Sequence, residues 1–193
     1  MLTALIESVL LLIMKENLTE TFLRGGRVYD GKLLKIHRDI VRRPDGSEEV
    51  REVLRHPGAA VVVPHLGQNR FVLVRQFRYA INHETLEFPA GRLDPQEEPL
   101  ACAKRELSEE TGYDAGRWKH LFSLHPAPGY TDERLEIFLA EELVPGPSNP
   151  DADENLLIVE CDFDQLVSLF KEGKITDSKT CSAILYLKAI GIH

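Results

Sequence analysis

Two short stretches of the chain, residues 59–64 (AAVVVP) and 71–76 (FVLVRQ), are almost continuously apolar. Short runs rich in β-branched residues predict strands covered on both faces, here joined by a turn over residues 65–70. Upstream the pattern is different. Residues 27–54 alternate polar and apolar positions and carry turn signals at Asp30-Gly31 and Pro44-Asp45-Gly46. That alternation predicts two or three strands of a small antiparallel sheet with one covered face. Further strands are expected over 118–124, 135–140 and 158–162. Two closing helices are expected over 163–171 and 179–190, flanking the turn-like EGKITD. Strands mixed with helices in this order predict an α/β sandwich.

One helix stands apart chemically. Pro99 suits a first helical position and Gly112 the residue just past a helix end, which predicts a helix over 99–111. Glu106, Glu109 and Glu110 fall on one face of it, with Leu100, Ala103 and Leu107 on the adjacent arc as the expected anchor. Three like charges on one face weaken an isolated helix. A solvated helix laced by Glu–Arg pairs would relieve them, and so would a hard divalent cation such as Mg2+, which prefers oxygen ligands.

Composition narrows the classes. The chain has 193 residues, 43% of them hydrophobic and 28% charged, which suits one main domain with a small appendage. A net charge of -8 argues against nucleic acid and acidic membranes as partners. A phosphate-rich substrate would need cations or metal placed locally. Cys102, Cys161 and Cys181 are odd in number and lack metal-binding spacing, as expected of reduced thiols in the cytoplasm. The apolar run 2–14, broken by Glu7 and Ser8, is too short for a membrane span and lacks the features of a signal peptide. It suits a short packed helix or a stretch ahead of a start at Met14. The expected organisation is an N-terminal extension (1–17), a β-sheet subdomain (18–57) and a main domain (58–193).

The segment GRLDPQEEPLACAKRELSEETGY, 91–113, resembles the Nudix box at every fixed position, with Tyr113 as its one soft position. The resemblance implies a Nudix-type α/β/α sandwich with a small N-terminal antiparallel β-sheet, and hydrolysis of a pyrophosphate linkage. It implies Glu106 and Glu110 as metal ligands, Glu109 as a further ligand or water-holder, and the Ala90 carbonyl as an extra ligand. The implied cation is Mg2+, with Mn2+ as the second candidate. Glu97 would pair with Arg105 and, with Gly91 and Gly112, support the loop and helix.

The flanks are similar to the ADP-ribose pyrophosphatase branch. The matching places are Arg75, Arg78, Glu87 and Pro89, Pro128 sixteen residues after Gly112, the DADEN loop at 151–155, and EGKITDSKT. By this resemblance Arg78 and Arg75 are substrate-binding candidates. Glu154 is the candidate base, with Asp153 as competitor, and joins Glu109 and Arg105 in the catalytic set. Adenine stacking has three candidates, Tyr29, Phe77 and Tyr130, each as well suited to core or surface. The implied reaction converts ADP-ribose or a related ADP-sugar to AMP and a sugar phosphate. The alternatives are hydrolysis of GDP-mannose or another nucleotide sugar, and a non-catalytic Nudix-fold binding module. The resemblance further implies a cytoplasmic homodimer paired through the N-terminal sheet.

Overall fold

The computed structural model describes residues 17–146 and 155–192. They fall into two compact units. One runs to Arg55 and takes in Gly129–Thr131; the other comprises His56–Pro128 and Asp132 onward.

In the first unit, β1 (Thr21–Asp30), β2 (Lys35–Arg42) and β3 (Glu48–Arg55) form an antiparallel meander. β1 begins earlier than the alternating pattern indicates, because its first residues are defined by pairing rather than periodicity: Thr21 sits opposite Arg42. The β2–β3 turn is closed by Gly46 at φ 87 and by a bond from the Arg43 amide to the Ser47 carbonyl, 2.9 Å. On one face Asp39 is buried and accepts a hydrogen bond from Arg55 Nη2 at 3.2 Å.

In the second unit the described strands are β4 (Ala59–Gly67), β5 (Arg70–Arg78), β6 (His83–Glu87), β7 (Ala90–Arg92), β8 (Tyr113–Leu124), β9 (Leu135–Pro145) and β10 (Leu156–Asp162). Their order is β10-β5-β4-β9-β8, with β6 on β5 and β7 on β4. β4 and β9 run parallel and the other pairs antiparallel, so the sheet is mixed. The helices are α1 (Pro99–Thr111), α2 (Phe163–Lys171) and α3 (Ser178–Ile190).

The unbroken apolar runs now have a cause. In β4, Val61 and Val63 pack with Leu166 of α2 and with Ala183, Ile184 and Leu187 of α3. Their neighbours Ala60 and Val62 pack with Cys102, Ala103 and Leu107 of α1. β9 splits the same way, Ile137 and Leu139 to one core, Phe138 and Ala140 to the other. Alternate residues therefore point to two helical layers, and no position in the middle of either strand is free to be polar. The result is an α/β/α sandwich.

α1 keeps its expected bounds. Pro99 lies in its first turn, and Gly112 adopts φ 68 while its amide donates to the Ser108 carbonyl, a left-handed stop that a side chain would oppose. Its anchor differs from expectation at one residue. Ala103 and Leu107 are buried, but Leu100 is 38% exposed and Cys102 takes its place. Leu100 belongs to the first turn, where the neighbouring Ala101 is exposed as well. Full burial of Leu107 contributes about 2 kcal/mol to seating the helix.

Candidate active site

β7 and α1 bring the site together. β7 is held on β4 with Val61 opposite Ala90, Ala60 opposite Gly91 and Ala59 opposite Arg92. α1 packs against the same region of β4, so its acidic face meets the β7 backbone. The contact is close. A Cβ added to Gly91 would lie 1.8 Å from Glu106 Oε1 and 2.0 Å from its Cδ. Only glycine leaves room for that carboxylate, which explains the residue without any appeal to backbone freedom. Glu110 accepts a hydrogen bond from the Ala90 amide at 3.1 Å. Glu106 and Glu110 are 7% and 4% exposed, unusual burial for two carboxylates one helical turn apart.

Arg105 offsets much of that charge. Its Nε and Nη2 donate to the two Glu97 oxygens, each at 3.0 Å. Its Nη1 donates to Glu106 Oε1 at 2.6 Å and to Glu109 Oε2 at 3.0 Å. Nη2 also reaches the Arg92 carbonyl at 3.1 Å. These bonds, to Glu97 first, raise the guanidinium pKa and keep it charged. Glu97 also accepts from the Asp94 amide at 2.9 Å, so it ties the loop before α1 to the helix. The Arg105 bonds hold the Glu97 carboxyl at about 2. The Cys102 thiol is pushed up to about 12 by burial and by the nearby Glu106 and Glu97 charges, which removes it as a nucleophile.

A second cluster flanks the first. Glu87, 2% exposed, accepts from Arg78 Nε at 2.8 Å and Nη2 at 2.6 Å, from Lys179 Nζ and from Thr85 Oγ1. Burial alone would raise its pKa, but Arg78 and Lys179 outweigh it and hold the carboxyl at about 2. Lys179 also pairs with Asp177 Oδ1 at 3.0 Å. Asp177 caps α3 by accepting from the Thr180 amide at 3.0 Å, and Thr180 Oγ1 accepts from the Phe88 amide at 2.8 Å. The start of α3 is thereby bonded to the β6 end that leads into β7.

The second cluster and β7 wall a cleft of about 310 Å³, lined by residues that include Arg78, Ala90, Gly91, Arg92, Asp177 and Lys179. Of the residues singled out from sequence, Arg78, Ala90 and Gly91 line it. Arg105, Glu106, Glu109 and Glu110 stand on α1 beside the Gly91 backbone, with Glu97 behind them. Arg75 lies 3.6 Å from Glu84 on the neighbouring strand and is not in the wall. Pro128 is exposed and also absent from it; Pro126 is the proline that lines it. Tyr29, Phe77 and Tyr130 are all exposed. Glu154 and Asp153 lie outside the described residues. Sequence reasoning passed over Lys179, Asp177 and Arg92. For the first two the local signal is the motif EGKITDSKT, whose partner Glu87 lies far away along the chain. For Arg92 the signal was its place directly after the box glycine.

The donors suit a hard divalent cation: carboxylate oxygens on adjacent turns, beside a backbone that only glycine leaves open. Among the described residues no three His, Cys, Asp or Glu side chains converge as a finished cage. Arg105 draws Glu106 and Glu109 towards itself, while Glu110 faces the Ala90 amide.

The paired acids give the fold a pH limit. Both Glu97 and Glu87 have folded pKa values of about 2 against an ordinary 4.5, so each contributes stability that is complete above 4.5 and lost as pH falls towards 2. The thermal midpoint is expected to fall through that window. A midpoint unchanged down to pH 2.5 would contradict both ion pairs.

The NUDIX domain model matches residues 54–181. The methanol dehydrogenase activator of Bacillus methanolicus is 34% identical over 171 residues, 88% of this chain and 92% of that protein. The ADP-ribose pyrophosphatase of Bacillus subtilis (strain 168) is 33% identical over 175 residues, 90% and 95% of the two chains. A crystal structure of an ADP compounds hydrolase superposes with a TM-score of 0.81 at 25% identity, covering 93% of this chain and all of the other. Among the described residues no helix is long and apolar enough to cross a membrane.

Proposed function

The chain belongs to the NUDIX domain family, and from that premise we propose that it hydrolyses the pyrophosphate bond of ADP-ribose or a related ADP-sugar, releasing AMP and a sugar phosphate. The observation that carries this reading is the seating of the buried Glu106 carboxylate against Gly91, with Glu110 on the next turn and Arg105 bracing the set. A helix that served stability alone would have no use for two buried acids against the backbone of a cleft-lining strand. The similarity to an ADP-ribose pyrophosphatase along nearly the whole chain supports ADP as the nucleotide part.

Glu106, Glu109 and Glu110 are the residues that would hold Mg2+, with Mn2+ as the second candidate and the Ala90 carbonyl as a further oxygen. A bound divalent cation supplies charge neutralisation at phosphate oxygens and acidifies water. The chain's own part is positioning. β7 presents its backbone to the substrate, and Arg105 and Glu97 hold the α1 face in register. Glu154 is the proposed base for the attacking water, with Asp153 as its rival. The exposed Phe22, Val28 and Tyr29 of β1 support a homodimer. Light scattering at micromolar concentration is expected to give twice the chain mass, and a monomer would remove that assignment.

The substrate is tested by incubating the chain with Mg2+ and ADP-ribose, other ADP-sugars, GDP-mannose and nucleoside triphosphates, then separating the products. AMP and a sugar phosphate from an ADP-sugar are expected. Turnover of GDP-mannose or triphosphates alone would reassign the substrate, and turnover of none would leave a binding module.

A further inference from the structure

We infer that Arg92 is the guanidinium that meets the diphosphate of the substrate, an assignment that rests on the hydrolase reading above. Three cations line the cleft: Arg78, Arg92 and Lys179. Two of them are committed. Arg78 spends Nε and Nη2 on Glu87, and Lys179 is shared between Glu87 and Asp177. These two positive charges are balanced by two negative ones within the same network. Arg78 keeps N–H donors to spare, but its positive charge is already matched by Glu87, so it offers a phosphate less net attraction than an unpaired guanidinium does.

Arg92 carries no such commitment. Its side chain is exposed and makes no ion pair or hydrogen bond among the described residues. The remaining acid of the wall, Glu133, lies 3.8 Å from His56. The backbone at Arg92, in contrast, is fixed on several sides. It sits opposite Ala59 in the β4–β7 register. Its carbonyl accepts from Arg105 Nη2 at 3.1 Å and from Cys102 Sγ at 3.5 Å. The next amide, of Leu93, donates to the Gly58 carbonyl at 3.1 Å.

A rooted Cα with a free guanidinium is what phosphate capture requires, because little ordering is left to do at the base of the side chain. The position is also apt. Arg92 directly follows Gly91, the cleft-lining glycine against which the Glu106 carboxylate is seated. Arginine there can engage two phosphoryl oxygens with a planar fork, where a lysine offers only a point charge. Arg105 thus has two tasks: it steadies the carboxylates with one edge and the Arg92 backbone with another.

The test compares Arg92→Gln, Arg92→Lys and Arg78→Gln with the wild-type chain in ADP-ribose hydrolysis and in equilibrium binding of ADP by calorimetry. For Arg92→Gln, KM for ADP-ribose and the Kd of ADP are both expected to rise about 10- to 100-fold, the weight of a charge-assisted bond. Its kcat is expected to stay within a few-fold, and Arg92→Lys to recover part of the affinity. The thermal midpoint should not move, since the side chain supports nothing in the fold. KM and Kd within twofold of wild type in both Arg92 variants would overturn the assignment, as would the whole effect appearing in Arg78→Gln instead. The two proposals separate cleanly. A wild-type chain that hydrolyses no ADP-sugar but loses ADP binding with Arg92 removes the hydrolase reading and keeps this one. Normal turnover with an indifferent Arg92 does the reverse.

Discussion

Replacing Glu106 with Gln is expected to lower kcat for ADP-ribose by on the order of 10²–10³-fold while leaving the fold intact. That range corresponds to roughly 3–4 kcal/mol of lost transition-state stabilisation, the usual scale for deleting one well-placed electrostatic contributor. Gln has nearly the shape of Glu, so it fits the space that Gly91 leaves open and can still accept from Arg105 Nη1. Arg105 retains its bonds to Glu97 and Glu109 in any case. What the substitution removes is one negative charge, and with it the affinity of the helix face for a divalent cation. Glu110→Gln should behave alike, since its amide oxygen can keep the bond from the Ala90 amide. Steady-state kinetics with saturating Mg2+, read beside the thermal midpoint, separate loss of chemistry from loss of structure. Near-normal turnover in either variant would remove that residue from the metal site.

The second large effect concerns stability. Lys179→Met is expected to cost about 3 kcal/mol in urea unfolding. Breaking a buried ion pair from one side typically costs 3–5 kcal/mol, because the remaining charge stays in a poorly solvating place. Here the lower end applies: Glu87 keeps the two bonds from Arg78, and Asp177 keeps its cap on α3. Lys179 and Glu87 are both buried, so solvent does little to screen the loss. A loss below 1 kcal/mol for Lys179→Met alone would show that this network is not a structural tie between α3 and β6.

Much of this was legible in the sequence where one residue type has a local job. Pro99 and Gly112 mark the ends of α1 because each has a backbone preference that the helix boundary uses. The apolar runs of β4 and β5 identify the central strands because those positions face helices on both sides or a covered core. β6 and β7 were not legible. HETLE and AGR are too short for a period, and they are strands only because β5 and β4 offer them partners.

The same division runs through the site. The Glu106 and Glu110 face follows from helical spacing, and Glu97–Arg105 from the family resemblance. The link from Lys179 to Glu87 crosses 92 residues of chain and leaves no local trace. Arg78 illustrates the cost of reading one side chain alone. From sequence it is a phosphate-binding candidate or an exposed strand-end Arg in a surface pair, and only the fold shows that its partner is a buried acid. Likewise the arc of α1 indicates Leu100 as an anchor, and only the fold shows it exposed, with Cys102 buried instead.

The central claim is that the α1 carboxylate face beside Gly91 carries a cation-dependent pyrophosphate hydrolysis. Its most direct test is the initial rate of AMP release from ADP-ribose by chain stripped with a chelator, before and after adding Mg2+. The account predicts a negligible rate when stripped, recovery with Mg2+ in the wild-type chain, and no comparable recovery in Glu106→Gln. Release of AMP at the full rate by the stripped chain, or equal recovery in Glu106→Gln, would contradict it.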